Sequence, residues 1–346
     1  MSGEFTGKGA GRSIEEEVLY GDPQRQLVTF ALFTFNQASY VCDAVQSALA
    51  QDYSPLKIII SDDASTDDTF GIIEEEVSKY QGAHEIRLNR NPENLGIAGH
   101  FAKVVALATT NLIVAAAGDD VSTPCRTRLL VEEYRKAGTH FFFASSNAEI
   151  MGADGALTGR VVIRGPAPDD FEKHALGSAM PLGATEAFTK ALFDYFGSMG
   201  AKVENEDYVI PFRAHLLGKV AYINRSLVHY RVGATSTSQD DSALSRPDLL
   251  ARRAQYVAKQ KIAVANMLSD LCFYSAGVNG TVSDPKYSKV DTILRSRLAD
   301  LAVTEAVYRH RSRGRWFKAA LKLLSEPRVL MSLIAEHARR LSKALA

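Results

Sequence analysis

From residue 27 onward the chain alternates short apolar runs with segments of helical spacing. Residues 27–34 (LVTFALFT), 56–61 (LKIIIS), 85–89, 112–117 (LIVAAA) and 139–145 (THFFFAS) read as strands. Residues 38–51, 67–81 and 98–109 read as the helices between the first four strands. A further helix opens at Pro124, with Ser122 or Thr123 as its cap, and runs to about residue 136. Strands that are apolar throughout, rather than at every second position, are buried on both faces. The pattern therefore predicts an α/β fold, with a mostly parallel Rossmann-like sheet flanked by helices. Right-handed crossovers then place ligands beyond the carboxyl ends of the strands.

After residue 145 the rhythm changes. An Asp154-Gly155 turn between short extended runs predicts a hairpin over 146–165. Residues 183–217 read as helical with a break near 197–202, and 219–232 as strand. Residues 247–274, 290–309 and 315–345 read as helices, the last broken at Pro327. This divides the chain into a flexible N-terminal arm (1–24), a sheet-bearing domain (25–240) and a helical C-terminal extension (241–346).

Lys plus Arg and Asp plus Glu each number 40, so no overall field points to nucleic acid. The balance is uneven, however: residues 305–346 hold ten Lys or Arg against three Asp or Glu. Basic residues beside the apolar Trp316 and Phe317 suit either a helix on an anionic membrane surface or one packed on its own domain or a second subunit. Three scattered cysteines predict neither a disulfide framework nor a CxxC metal site. The first thirteen residues have no apolar core, and no stretch reaches the roughly eighteen apolar residues of a membrane span. The expected location is cytoplasmic, with peripheral contact at the inner face of the membrane through the tail as a second option.

The chemistry lies in three acidic groups. Asp62-Asp63 ends the second strand, Asp119-Asp120 ends the fourth, and Glu204, Glu206 and Asp207 stand at a helix start. Carboxyl ends of neighbouring parallel strands share one rim, so the first two pairs face one crevice. Two such pairs repel unless a cation compensates, and Mg²⁺ or Mn²⁺ are natural compensators because they bridge carboxylates to substrate phosphates. The alternative is structural: Asp caps helices, and acids in a first turn suit the helix dipole.

The order and spacing of VTFALFTFNQASYV, IIISDDASTDDT, NPENLGIAGHFA and LIVAAAGDDVSTPCR resemble the family 2 glycosyltransferases, over roughly residues 25–235. The resemblance implies a GT-A fold and inverting transfer of a sugar from a UDP-, GDP- or dTDP-linked donor to a hydroxyl of a glycan or lipid-linked acceptor. It places Phe35 and Asn36 in the nucleotide loop, Asp63 on the donor's base, Asn94 and Gly96 beside the nucleotide, and Asp119 toward the ribose. It makes Asp120 the last acid of the metal motif, holding Mn²⁺ or Mg²⁺ against the diphosphate, although Gly118 stands where a literal DxD has its first acid. Asp207 matches the general base, with Glu206 or Glu204 as alternatives one register away. A carboxylate there would take the acceptor's proton while charge grows on the leaving diphosphate.

His229 is a candidate for the metal or the diphosphate, with a core or surface histidine as the competing account. Arg231 is a candidate phosphate contact through its fork of donors. A nucleotidyltransferase that forms nucleotide sugars is the rival enzyme, but it needs a glycine-rich basic loop where this chain has FTFNQASY. An inactive sugar-binding or scaffold protein on the same fold is the other rival. No GxxxxGK[ST] occurs, which excludes a P-loop nucleotidase.

Overall fold

The computed structural model describes residues 26–164, 171–233, 244–277 and 285–309. The expected N-terminal arm and the basic tail with Trp316 and Phe317 lie outside these residues. In chain order the elements are β1 (Val28–Thr34), α1 (Val41–Leu49), β2 (Leu56–Asp62), α2 (Thr69–Ser78), β3 (Glu85–Arg90), α3 (Gly96–Leu107), β4 (Leu112–Ala117) and β5 (Val121–Ser122). There follow α4 (Arg126–Ala137), β6 (Phe142–Met151), β7 (Leu157–Val162), α5 (Phe171–Leu176), a 3₁₀ turn (Gly183–Thr185), β8 (Ala187–Thr189), α6 (Ala191–Phe196) and α7 (Glu206–Leu217). The chain then forms β9 (Lys219–Arg231), α8 (Arg246–Gly277) and α9 (Pro285–Arg309).

One sheet in the order β3-β2-β1-β4-β8-β6-β9-β5 organises the molecule, with β7 paired to β6. From β3 to β4 it is parallel, as the apolar runs predict. Past β4 it becomes mixed: β8 is antiparallel to both β4 and β6, whereas β9 is parallel to β6. Alternate residues of β1 explain the layering. Val28, Phe30 and Leu32 pack with Ile58, Ile60, Leu112 and Val114 under α1 and α4. Ala31 joins Ile59, Ile113, Phe143 and Phe188 on the opposite face under α3 and α7.

The helical extension continues that second layer. Ala263, Val264, Met267 and Leu271 of α8 and Val290 and Leu294 of α9 share its core. A buried ion pair fastens it: Arg213 Nε of α7 meets Asp270 Oδ2 at 2.8 Å, and the guanidinium lies over the rings of Phe193 and Phe196. Among the described residues no helix is long and apolar enough to cross a membrane.

Two local expectations are corrected. Residues 183–196 are not one helical stretch, because Ala187 and Phe188 pair with β4 and β6 and fill the core between them. Tertiary pairing here overrides local propensity. The strand expected over 139–145 runs on to Met151, since it is also the first arm of the Asp154-Gly155 hairpin.

Candidate active site

β1 and β2 end side by side, with Thr34 in register with Asp62, and the Asp63 N–H bonds the Thr34 carbonyl at 2.9 Å. Asp62 is fully buried and accepts from Thr34 Oγ1 at 3.2 Å, from the Ser65 N–H at 2.9 Å and from the Ser65 hydroxyl. Asp63 accepts from Asn91 Nδ2 (2.8 Å) and from the N–H groups of Leu95 and Gly96 (both 3.0 Å). Its carboxylate therefore clamps the loop that enters α3. Gly96 has φ +68°, a conformation open to glycine at little cost, and its N–H is shared with Asn94 Oδ1 at 2.8 Å. Across the rim, Asn36 at φ +51° accepts the Thr66 N–H at 2.8 Å and donates its own N–H to Ser65 Oγ. Phe35 beside it is 42% exposed, a rim ring and not core.

β4 ends against β1, with Ala117 in register with Phe33. The Gly118 N–H bonds the Phe33 carbonyl at 2.9 Å. A β-carbon on Gly118 would come within 2.4 Å of Gln37 Oε1 and 3.2 Å of that carbonyl. A first acid of a DxD motif could not stand there without moving the loop after β1. Asp119 and Asp120 are both buried. Asp120 Oδ1 accepts the Arg231 N–H at 2.8 Å; burial first, and then the charge of Asp119, raise its carboxyl well above the ordinary value.

Arg231 departs from the phosphate contact expected of it. Its Nε bonds the Asp119 carbonyl (2.9 Å), one terminal nitrogen the Ala153 carbonyl (3.2 Å) and the other Asp43 (2.8 Å), with Tyr40 beneath at 4.7 Å. Every nitrogen of the fork is engaged, so Arg231 clasps the Asp119-Asp120 loop to the hairpin turn and to α1. His229 is half-buried two residues earlier on β9, opposite Val121 and on the same side of the strand as Arg231.

The third acidic group sits where β8 leaves β4. Glu206 and Asp207 open α7, and each keeps some exposed surface. Burial first, and then the neighbouring acid, push Glu206 up to about 8. Burial likewise pushes Asp207 up to about 7, against the opposing charge of Arg164. Glu204 instead projects to solvent and pairs with Lys259 at 2.6 Å, which leaves Glu206 and Asp207 as candidates for the base.

Two residues outside the sequence motifs join these groups. Glu186 is fully buried, and neither carboxyl oxygen has a hydrogen-bond partner among the described residues. Arg126 of α4, also fully buried, donates to Ser122 Oγ (2.9 Å), to the Ala115 carbonyl (2.6 Å) and to the Glu186 carbonyl (3.3 Å). Its charge is felt by both Asp120 and Glu186. Asp120 thus lies in the field of Arg126, and Glu206 and Asp207 act on Glu186, whose backbone carbonyl Arg126 holds. The only hints in the sequence were an acid set among apolar residues (TEAFT) and the Arg that closes VSTPCR.

Among the described residues no three His, Cys, Asp or Glu side chains gather into a ready metal cage. The donor set present is a pair of crowded carboxylates. It suits Mg²⁺ or Mn²⁺, which use one or two carboxylates and complete their shell with substrate phosphates.

The family model described as glycosyl transferase family 2 matches residues 29–161. A chondroitin synthase of Pasteurella multocida is 27% identical over 213 residues, covering 61% of this chain and 21% of that protein. A hyaluronan synthase of Pasteurella multocida is 27% identical over 200 residues, covering 58% and 20%. The chain spans about a fifth of the length of these curated relatives. The mannosyltransferase PcManGT of Pyrobaculum calidifontis, solved with GDP-Man and Mn²⁺, superposes with a TM-score of 0.50 at 17% identity, over 84% of this chain and 90% of that one. That likeness concerns the fold: a curled α/β sheet of GT-A type with flanking helices. Matched segment, sheet and acidic strand ends agree in a likeness to the family 2 glycosyltransferases over residues 29–161.

Proposed function

We propose that the protein transfers a sugar from a nucleotide-diphosphate donor to a hydroxyl of a glycan or lipid-linked acceptor, with inversion at the anomeric carbon. The observation that carries this reading is the pair of carboxylate groups on either side of the backbone contact between Arg126 and Glu186, one at the end of β4 and one at the start of α7. The names of the chondroitin and hyaluronan synthases favour a glycan acceptor.

In this scheme the loops led by Phe35, Asn36, Asn94 and Gly96 receive the nucleotide. Asp63 holds that rim in shape and accepts from the base, and Asp119 faces the ribose. Asp120, with His229 nearby, would hold Mn²⁺ or Mg²⁺, which when bound offsets the charge of the diphosphate. Arg231 keeps the Asp119-Asp120 loop in place from behind. Asp207 takes the acceptor's hydroxyl proton as its oxygen attacks the anomeric carbon from the face opposite the diphosphate, and Glu206 is the neighbouring acid that tunes it. A base with a pKa near neutrality matches that task, because it is ionised at working pH and still basic enough to accept. The nucleotidyltransferase alternative is disfavoured by the loop after β1, whose residues 33–40 contain no Lys or Arg.

The test is a panel of nucleotide sugars scored for release of the nucleoside diphosphate, alongside thermal shifts with UDP, GDP and dTDP, each with and without Mn²⁺. One nucleotide should stabilise the protein, more so with the metal. No shift with any nucleotide under either condition would end the proposal.

A further inference from the structure

Glu186 is the least compensated ionisable group of the site. Its side chain has no exposed surface, and neither oxygen receives a hydrogen bond from the described residues. The groups that face it come from two helices. α7 contributes two more acids, Glu206 and Asp207, and α4 contributes Arg126. The cation does not satisfy the acid directly: the terminal nitrogens of Arg126 are taken up by Ser122, the Ala115 carbonyl and the backbone carbonyl of Glu186, and its Nε has no partner. The 3₁₀ turn before Glu186 is held close to the pair, since a β-carbon on Gly183 would lie 2.8 Å from Glu206 Oε1. A third negative charge here would be desolvated, without donors and beside two like charges. Each of these circumstances favours the neutral acid.

We propose that Glu186 is the proton-bearing member of a three-carboxyl cluster, a positioning residue whose O–H donates toward the Glu206–Asp207 pair and keeps one carboxylate there ionised as the base. The role in catalysis rests on the glycosyl transfer proposed above; the location of the proton does not. Burial first, then Glu206, then Asp207 raise the Glu186 carboxyl well above its ordinary range, in keeping with this assignment. With Arg126 buried beside Glu186 and Arg164 acting on Asp207, two cations serve three acids: the innermost acid stays neutral and becomes a donor. Its contribution to the pair is of the size of one hydrogen bond to a charged group, about one pH unit.

Infrared spectroscopy of the resting full-length protein provides the test, with no substrate required. At about pH 9.5, above the midpoints of Glu206 and Asp207, the wild type should show the carbonyl stretch of a buried protonated carboxylic acid, and E186Q should show that absorption reduced by one acid. A wild type without that band, or an E186Q protein that retains it unchanged, would overturn the proposal. The same titration reads the remaining two carboxyls. Their midpoint should rise by about one pH unit in E186L, which has no donor, and by less in E186Q, whose amide N–H is a weaker one. A folded E186L with an unmoved midpoint would also overturn it; if E186L does not fold, an unmoved midpoint in E186Q overturns it equally. Reduction of the band in E186Q with no transferase activity in any variant would instead sink the glycosyltransferase reading and leave the proton on Glu186.

Discussion

The acids at the end of β2 and the acids around the start of α7 are the same chemical groups in opposite surroundings. Asp62 and Asp63 receive donors from their own loops: Thr34 and Ser65 on one, Asn91, Leu95 and Gly96 on the other. Glu186, Glu206 and Asp207 act on one another, and Glu186 has no donor among the described residues. The contrast separates architecture from chemistry. A carboxylate filled by backbone N–H groups shapes the rim on which a nucleotide would lie, whereas one denied donors is left near its protonation midpoint, where it can exchange a proton. Substitutions at the two places should therefore fail in different ways.

The largest expected difference is in turnover. Asp207→Asn should lower kcat for sugar transfer by about 10³-fold, the usual scale for removing a general base. It should leave the nucleotide-induced thermal shift intact, because the proposed reaction puts Asp207 on the acceptor side. Loss of that shift along with turnover would show that Asp207 holds structure, and the contrast with Asp63 would collapse. The clasp behind the metal side should fail as stability. Arg231→Met keeps the backbone N–H on Asp120 but leaves the Asp119 and Ala153 carbonyls and the half-exposed Asp43 without their donor, which should cost about 2–4 kcal/mol, measurable in urea unfolding. A loss below about 1 kcal/mol would return Arg231 to the role of free phosphate ligand.

Asp63→Ala comes next. It removes three bonds to a charged acceptor at a rim where water can partly replace them, so about 2–3 kcal/mol of stability should be lost. Asp63→Asn keeps one acceptor oxygen and should lie between. If Asp63→Ala unfolds like wild type yet abolishes nucleotide binding, Asp63 acts only as a ligand and not as the clamp of its loop.

The sequence carried the first of these regions far better than the second. β1, β2 and β4 are apolar runs with helices between them, and each motif acid stands where its strand stops, so pattern and position coincide. The Asp154-Gly155 hairpin was equally plain, because a two-residue turn signal fixes it locally. β8 is only three residues long and exists because β4 and β6 both pair with it, a cause that no local window contains. Glu186 immediately precedes that strand, so its burial was as illegible as the strand itself. Arg231 was visible as an Arg near a late strand, but its partners Asp43, Asp119 and Ala153 come from distant parts of the chain.

The smallest effect is the most direct probe of the surroundings of Asp207, because it compares one substitution at two pH values. Asp207 titrates at about 7 in the fold against 3.8 for the ordinary carboxyl, and Glu206 at about 8 against 4.5. A raised folded value means that the native state binds these protons more tightly than the unfolded chain does. The pair therefore favours folding at low pH, and that contribution is lost as pH climbs from about 4 through 7 to 8. Asn at position 207 has no proton to lose. Relative to wild type, Asp207→Asn should gain about 1–2 kcal/mol at pH 8 and close to nothing at pH 4, read from denaturant midpoints at the two pH values. A carboxylate well supplied with donors would give the opposite sign, with the Asn variant less stable at pH 8. A gain that is the same at both pH values would place the effect in packing, and the crowding of charge around α7 would no longer account for a base poised near neutrality.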